Sequence, residues 1–134
     1  MKNLLCVYFG LAVSFGACDP SLPKLEGSMI NSDSYKLELQ EMLPSPPERG
    51  SNTWTIKVSS NGSSEKLEGC EIDLVPFMPE HGHGSPKQPA TNDLGDGIYQ
   101  VTDIVFTMPG LWNMEFTVAC NNGDREQLVY EFRL

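Results

Sequence analysis

Positive charge, histidine and long apolar runs are all scarce in this sequence, and each shortage argues against a class of function. Nine Lys and Arg stand against eighteen Asp and Glu, for a net charge of −9. A surface of that sign repels phosphate backbones and anionic headgroups, so nucleic acid is not an expected partner and an electrostatic grip on a membrane is not an expected mode of attachment. Beyond the first residues, no run approaches the roughly 20 apolar residues that a spanning helix needs. Only two histidines occur, both in one short loop, and the serines lie in turns and linkers. Acyl-transfer chemistry needs a nucleophile, a base and an orienting group. Only Glu80 stands near the histidines as a general base, so the chain does not read as an enzyme. No cysteine sits among His and Met in the manner of a blue-copper centre. Helical periodicity, internal repeats and low-complexity stretches are also missing.

The N-terminus carries the clearest positive signal. Lys2 is followed by an apolar run from Leu4 to Phe15, too short to span a bilayer but suited to the apolar region of an export signal. Phe15-Gly16-Ala17-Cys18 resembles the lipobox of bacterial lipoproteins, in which small residues precede a cysteine that becomes acylated. Phe15 stands where that family usually carries an aliphatic residue. The resemblance implies a signal peptide over residues 1–17 and a lipidated Cys18. It places the protein on the periplasmic side of the cell envelope, attached to a membrane through lipid. Residues 18–34, with Pro20, Pro23 and Gly27, read as a tether. Removing Lys2 with the leader leaves the remainder near −10. Cys6 leaves too, so Cys70 and Cys120 remain as a pair in an oxidising compartment. A disulfide is the default reading, and metal ligation by two lone thiols the alternative.

From residue 35 to 134 the pattern is that of short strands in one domain. Tyr35, Leu37 and Leu39 alternate with polar residues, as do Trp54, Ile56 and Val58, then Cys70, Ile72 and Leu74. Pro44-Ser45-Pro46-Pro47 and Asn61-Gly62 interrupt them as turns. Residues 78–97 are irregular, too long for a tight hairpin, and predict either a functional loop or one extra short strand. Tyr99 and Val101 fall out of phase with Ile104 and Phe106, which predicts a bulge near Asp103. Trp112, Met114, Phe116, Val118 and Cys120 form five successive inward positions. Leu128, Tyr130, Phe132 and Leu134 mark a last strand. The expectation is an all-β protein, an immunoglobulin-like β-sandwich of about seven strands, and a monomer.

One segment has the chemistry of a binding site. Phe77-Met78-Pro79-Glu80-His81-Gly82-His83-Gly84 brings both histidines together with a methionine. His-x-His places two imidazoles on one side of an extended backbone. Imidazole with thioether suits copper, the reduced ion above all, because sulfur is a soft ligand. If the strand from Cys70 runs antiparallel to the one ending at Cys120, the disulfide lies at one end. Met78, His81 and His83 then approach Met108 at the other. The competing reading is a rigid turn, with imidazoles capping carbonyls and both methionines filling the core.

The combination of this loop with Gly97-Ile98-Tyr99 and with Phe106-Thr107-Met108-Pro109-Gly110-Leu111-Trp112 resembles the YtkA-like domain family, related to FixH-type proteins. The likeness covers roughly residues 52–120. It implies an immunoglobulin-like sandwich outside the cytoplasmic membrane, and FixH-type members are linked to assembly of copper-containing oxidases. Two functions follow as expectations. One is copper binding or trafficking through Met78, His81, His83 and Met108. The other is a non-catalytic adaptor of a membrane protein complex that holds no metal.

Overall fold

The computed structural model describes residues 25–121 and 123–134. The expected leader and Cys18 lie outside the described residues. The elements are β1 (Met29–Asn31), β2 (Tyr35–Leu43), β3 (Gly50–Ser60), β4 (Cys70–Met78), β5 (His83–Gly84), β6 (Ala90–Gly95), β7 (Ile98–Phe106), β8 (Leu111–Cys120) and β9 (Glu126–Arg133). They form two antiparallel sheets, ordered β1-β2-β3-β7-β6 and β5-β4-β8-β9. The fold is the expected β-sandwich, with nine strands among the described residues rather than about seven. The two unforeseen strands, β1 and β5, are three and two residues long. Strands that short carry no readable alternation; pairing to a longer neighbour holds them.

Residues 29–31, inside the stretch read as tether, form β1 and pair with residues 36–38. Ile30 and Leu25 pack against the core, so the folded domain begins ahead of residue 35. The link between β1 and β2 is bonded to the other sheet. The Ser34 hydroxyl and N–H both donate to the Glu126 carboxylate, at 2.6 and 3.1 Å. Hydrogen bonds from the Ser32 hydroxyl and then from Ser34 hold that carboxyl below its ordinary range.

Alternation produces the core. Alternate residues of β3, β4 and β8 point inward, as do those of β2 up to a bulge after Leu39 that passes the inward position to Met42, and Leu37, Leu39, Trp54, Ile56, Val58, Trp112, Met114 and Phe116 are fully buried. The predicted bulge is present. Asn52 pairs with Ile104 while Trp54 pairs with Val101, so β7 carries one residue more than β3 between these points. Asp103 takes a left-handed conformation there (φ 60°) and is joined to Lys87 at 2.7 Å. The extra residue returns Ile104 and Phe106 to the inner face, which explains the phase slip in the sequence.

The strands β4 and β8 pair antiparallel from Cys70↔Cys120 to Phe77↔Asn113. This register gives the molecule two distinct ends. At one, Cys70 and Cys120 form a disulfide across directly opposed positions, with Cα atoms 4.0 Å apart. The other end gathers the Pro44–Pro47 loop, the turn through residues 107–110 and the β4–β5 hairpin. Beneath them lies an aromatic cluster in which Phe106 stands 5.0 Å from Trp112 and 5.4 Å from Phe132, between ring centroids. A strand of nine residues separates the two ends by about 26 Å.

Candidate metal centre at the hairpin end

The irregular stretch resolves into a tight hairpin followed by β6. Met78 O accepts hydrogen bonds from His81 N (3.2 Å) and Gly82 N (2.9 Å), closing a four-residue turn. Pro79 suits the second position of such a turn because its φ is already set. Gly82 closes it in a left-handed conformation (φ +68°), open to glycine at little cost. The chain then pairs Met78 with His83 and Phe77 with Gly84. Ser85 N donates to Pro76 O at 3.0 Å. Gly84 lies so close to β4 that a Cβ there would strike the Pro76 carbonyl oxygen. As expected, the stretch as a whole is too long to be one tight hairpin and contains an added strand, β6; the two-residue β5 comes in addition, because residues 78–83 turn back on β4. The remaining length goes into β6 and the connection leading to it.

The hairpin sets the histidine geometry. His81 and His83 are both exposed, with ring centroids 5.7 Å apart and planes inclined by 39°. Two imidazoles that bind one ion through bonds of about 2.0 Å have centroids no more than about 6.4 Å apart, so this pair falls within reach of a single ion. His83 Nδ1 also lies 3.5 Å from Gly84 O, a contact too long to hold the ring firmly.

Met78 and His83 are direct cross-strand partners, so their side chains leave the sheet on the same face. Met78 is fully buried. Its methyl end reaches Gly110, where a Cβ would stand 2.9 Å from Met78 Cε. Met108, half-buried against the core, occupies the same turn, and its carbonyl accepts a bond from Trp112 Nε1 at 3.1 Å. The turn is tied down further by Gly110 and Leu134, which exchange hydrogen bonds in both directions, 3.2 and 2.9 Å. Thus the structure brings Met78, His81, His83 and the Met108 turn to one end of the sandwich. The imidazoles lie outside and the Met78 thioether beneath.

Glu80 does not join the histidines as a donor: its carboxylate turns to Arg133, at 3.5 Å. Among the described residues no three His, Cys, Asp or Glu side chains gather where an ion could be held. Nitrogen and oxygen donors alone do not complete this site; the methionines are what would complete it. A donor set of two imidazoles and soft sulfur fits copper better than zinc.

At the opposite end, Cys70 and Cys120 are paired with each other, which removes the reading of two lone cysteines as metal ligands. Two tyrosines hold this end in a way the sequence did not announce. Tyr99 Oη accepts from Cys70 N (3.1 Å) and donates to Leu67 O (2.8 Å). Tyr35 Oη accepts from Cys120 N (3.3 Å) and donates to Asp124 O (2.9 Å). Their alternation with polar neighbours marked them only as inward residues.

Comparison with solved structures shows the same architecture elsewhere. A DUF4426 family protein from Pseudomonas aeruginosa PAO1 superposes with a TM-score of 0.59 at 7% identity, over 80% of this chain and 96% of its own. A copper-bound variant of FetP from uropathogenic Escherichia coli strain F11 gives a TM-score of 0.56 at 10% identity, over 80% and 93%. FetP as isolated after expression in the periplasm gives 0.57 at 10%, over 81% and 93%. At such identities the likeness is one of fold. No curated protein matches the sequence. The YtkA-like family model matches residues 30–117, from β1 through most of β8 and across the whole Met-His hairpin, and the chain belongs to the YtkA-like family.

Proposed function

We propose that this protein is an exported, lipid-anchored copper-binding module of the cell envelope, without catalytic activity. His81 and His83 hold the ion, and Met78 and Met108 supply sulfur from the mouth of the sandwich. The observation that carries this reading is the imidazole pair at 5.7 Å, one ring of which stands directly across the strand from a methionine. The copper-bound FetP variant, on the same fold, lends it support. Exposed imidazoles and few anchoring bonds suit an ion that is passed on rather than stored.

The test is a titration of residues 19–134 with Cu(I) against a competing chelator. We expect one equivalent to bind with sub-micromolar affinity, and His81→Ala with His83→Ala to reduce binding to background. Failure of the unaltered protein to outcompete the chelator would remove the copper reading.

A separate observation favours the adaptor reading. An apolar groove of about 200 Å³ opens at the same end, lined by Leu25, Pro46, Pro47, Tyr130, Phe132 and Leu134 among others. If the double histidine variant keeps background metal affinity but loses a membrane partner in a pull-down, the end of the sandwich is a docking surface instead.

A further inference from the structure

We propose that the site is selective for reduced copper through Met78, and that Gly110 is the position that makes this possible. It does so by leaving a niche for the thioether at the mouth of the sandwich. The inference rests on the copper reading and adds to it a determinant outside the hairpin.

The placement of Met78 follows from the register. His83 lies across from it on one side. Continuing the β4–β8 pairing one step past Phe77↔Asn113 sets the buried Trp112 level with it on the other. Met78 is the last residue of β4, next to the end turn. Its methyl group lies there. A Cβ built on Gly110 would meet Met78 Cε at 2.9 Å and nothing else within 4 Å. The space that any other residue at position 110 would take is therefore filled by the end of Met78.

Gly110 has little freedom to back away. It exchanges two backbone hydrogen bonds with Leu134, and the Trp112 indole holds the Met108 carbonyl two residues earlier. A side chain at position 110 thus pushes on Met78, the flexible partner, and moves its sulfur relative to His83. Gly110 also has a φ of +140°, which L side chains rarely adopt.

The chemistry assigns different tasks to the donors. Imidazole accepts Zn(II), Cu(II) and Cu(I), so the histidines supply affinity with little discrimination. A thioether is soft, seldom used by zinc, and favours Cu(I). With no third His, Cys, Asp or Glu of the described residues gathered at the hairpin, selectivity falls to sulfur. Gly110 is then a positioning residue acting through Met78.

The experiment titrates residues 19–134, which lack the leader and Cys18, with Cu(I) and, separately, Zn(II), and records copper K-edge X-ray absorption of the Cu(I) form. The unaltered protein is expected to prefer Cu(I) and to show a sulfur scatterer. Met78→Leu conserves volume and is expected to weaken Cu(I) binding about 10–100-fold, reduce sulfur scattering and leave Zn(II) affinity unchanged. Gly110→Ala is expected to shift selectivity the same way with Met78 still in the chain. Should Gly110→Ala fail to fold, Met78→Leu decides: lost selectivity supports the proposal, retained selectivity overturns it. His-dependent copper binding that neither variant alters would leave the copper reading standing and overturn this inference. No copper binding by the unaltered protein would remove both.

Discussion

Tyr35 and Tyr99 show how much a single phenol oxygen contributes here. Each side chain is buried and comes from the larger sheet. Each hydroxyl satisfies the amide of one disulfide cysteine in the smaller sheet and one loop carbonyl. Removing such a hydroxyl leaves a buried amide and a carbonyl to find other partners, at about 1–3 kcal/mol. Tyr99→Phe should therefore lower unfolding free energy by roughly that amount in urea denaturation, with the disulfide intact. Burial, partly offset by the Cys70 amide, raises the Tyr99 phenol above its ordinary 10.0, with Asp93 and Glu68 adding to the rise. A raised folded-state value means the native state holds its proton more tightly than the unfolded chain. The contribution is thus fully present below pH 10 and is lost as pH climbs through the folded-state value. The deficit of Tyr99→Phe should shrink in strongly alkaline buffer. A deficit independent of pH would show that the ionisation of Tyr99 is not linked to folding.

At the scale of elements, the β4–β5 hairpin is what places the two histidines of the candidate site. Its two-residue return strand is held because Gly84 approaches β4 closely enough for the Ser85–Pro76 hydrogen bond to form. The obstacle facing a side chain at residue 84 is the Pro76 carbonyl, a backbone atom in the middle of a paired strand. Gly84→Ala should therefore detach β5 while leaving the two sheets intact. We expect a stability loss of about 1–3 kcal/mol, as for overpacking, and a larger loss of metal affinity, because His83 no longer faces Met78. Thermal unfolding and the copper titration together check this. Unchanged binding would show that the hairpin pairing does not organise the histidines. The bulge in β7 is the counterpart in the other sheet: one extra residue at Asp103 restores the inward phase that the aromatic cluster needs.

The whole molecule separates its covalent staple from its candidate metal centre. The disulfide closes a loop spanning 50 residues, for which chain entropy predicts about 4 kcal/mol of stabilisation, with about 2–4 more typical of measured cases. A Cys70→Ser and Cys120→Ser variant should lose stability in that range. Its Cu(I) affinity should stay within about twofold of the unaltered protein, because the hairpin lies about 26 Å away and the core between them persists. A large drop in affinity in the folded variant would mean that the two ends are coupled through the sheets.

What was legible in the sequence, and what was not, divides along the range of the interactions involved. Alternation over β2, β3, β4, β8 and β9 is local, because successive side chains of a strand take opposite faces. The sandwich, the inward cysteines and the β7 bulge could accordingly be read from residue order alone. Residue type likewise marked Met78, His81, His83 and Met108 as candidate donors. The short strands β1 and β5 left no such trace, since two or three residues show no period and persist only because a longer neighbour pairs with them. The roles of Tyr35, Tyr99 and Gly110 were equally hidden. Each depends on which residue lies across the sandwich or beyond a turn: a cysteine amide for the tyrosines, a methionine methyl group for the glycine. Such contacts join positions from 29 to 85 residues apart. The sequence by itself determined the class of fold and named the candidate donors, because both follow from local chemistry. Only the tertiary structure decided that the candidate residues lie at one end, since that placement is set by strand register between β4, β5 and β8.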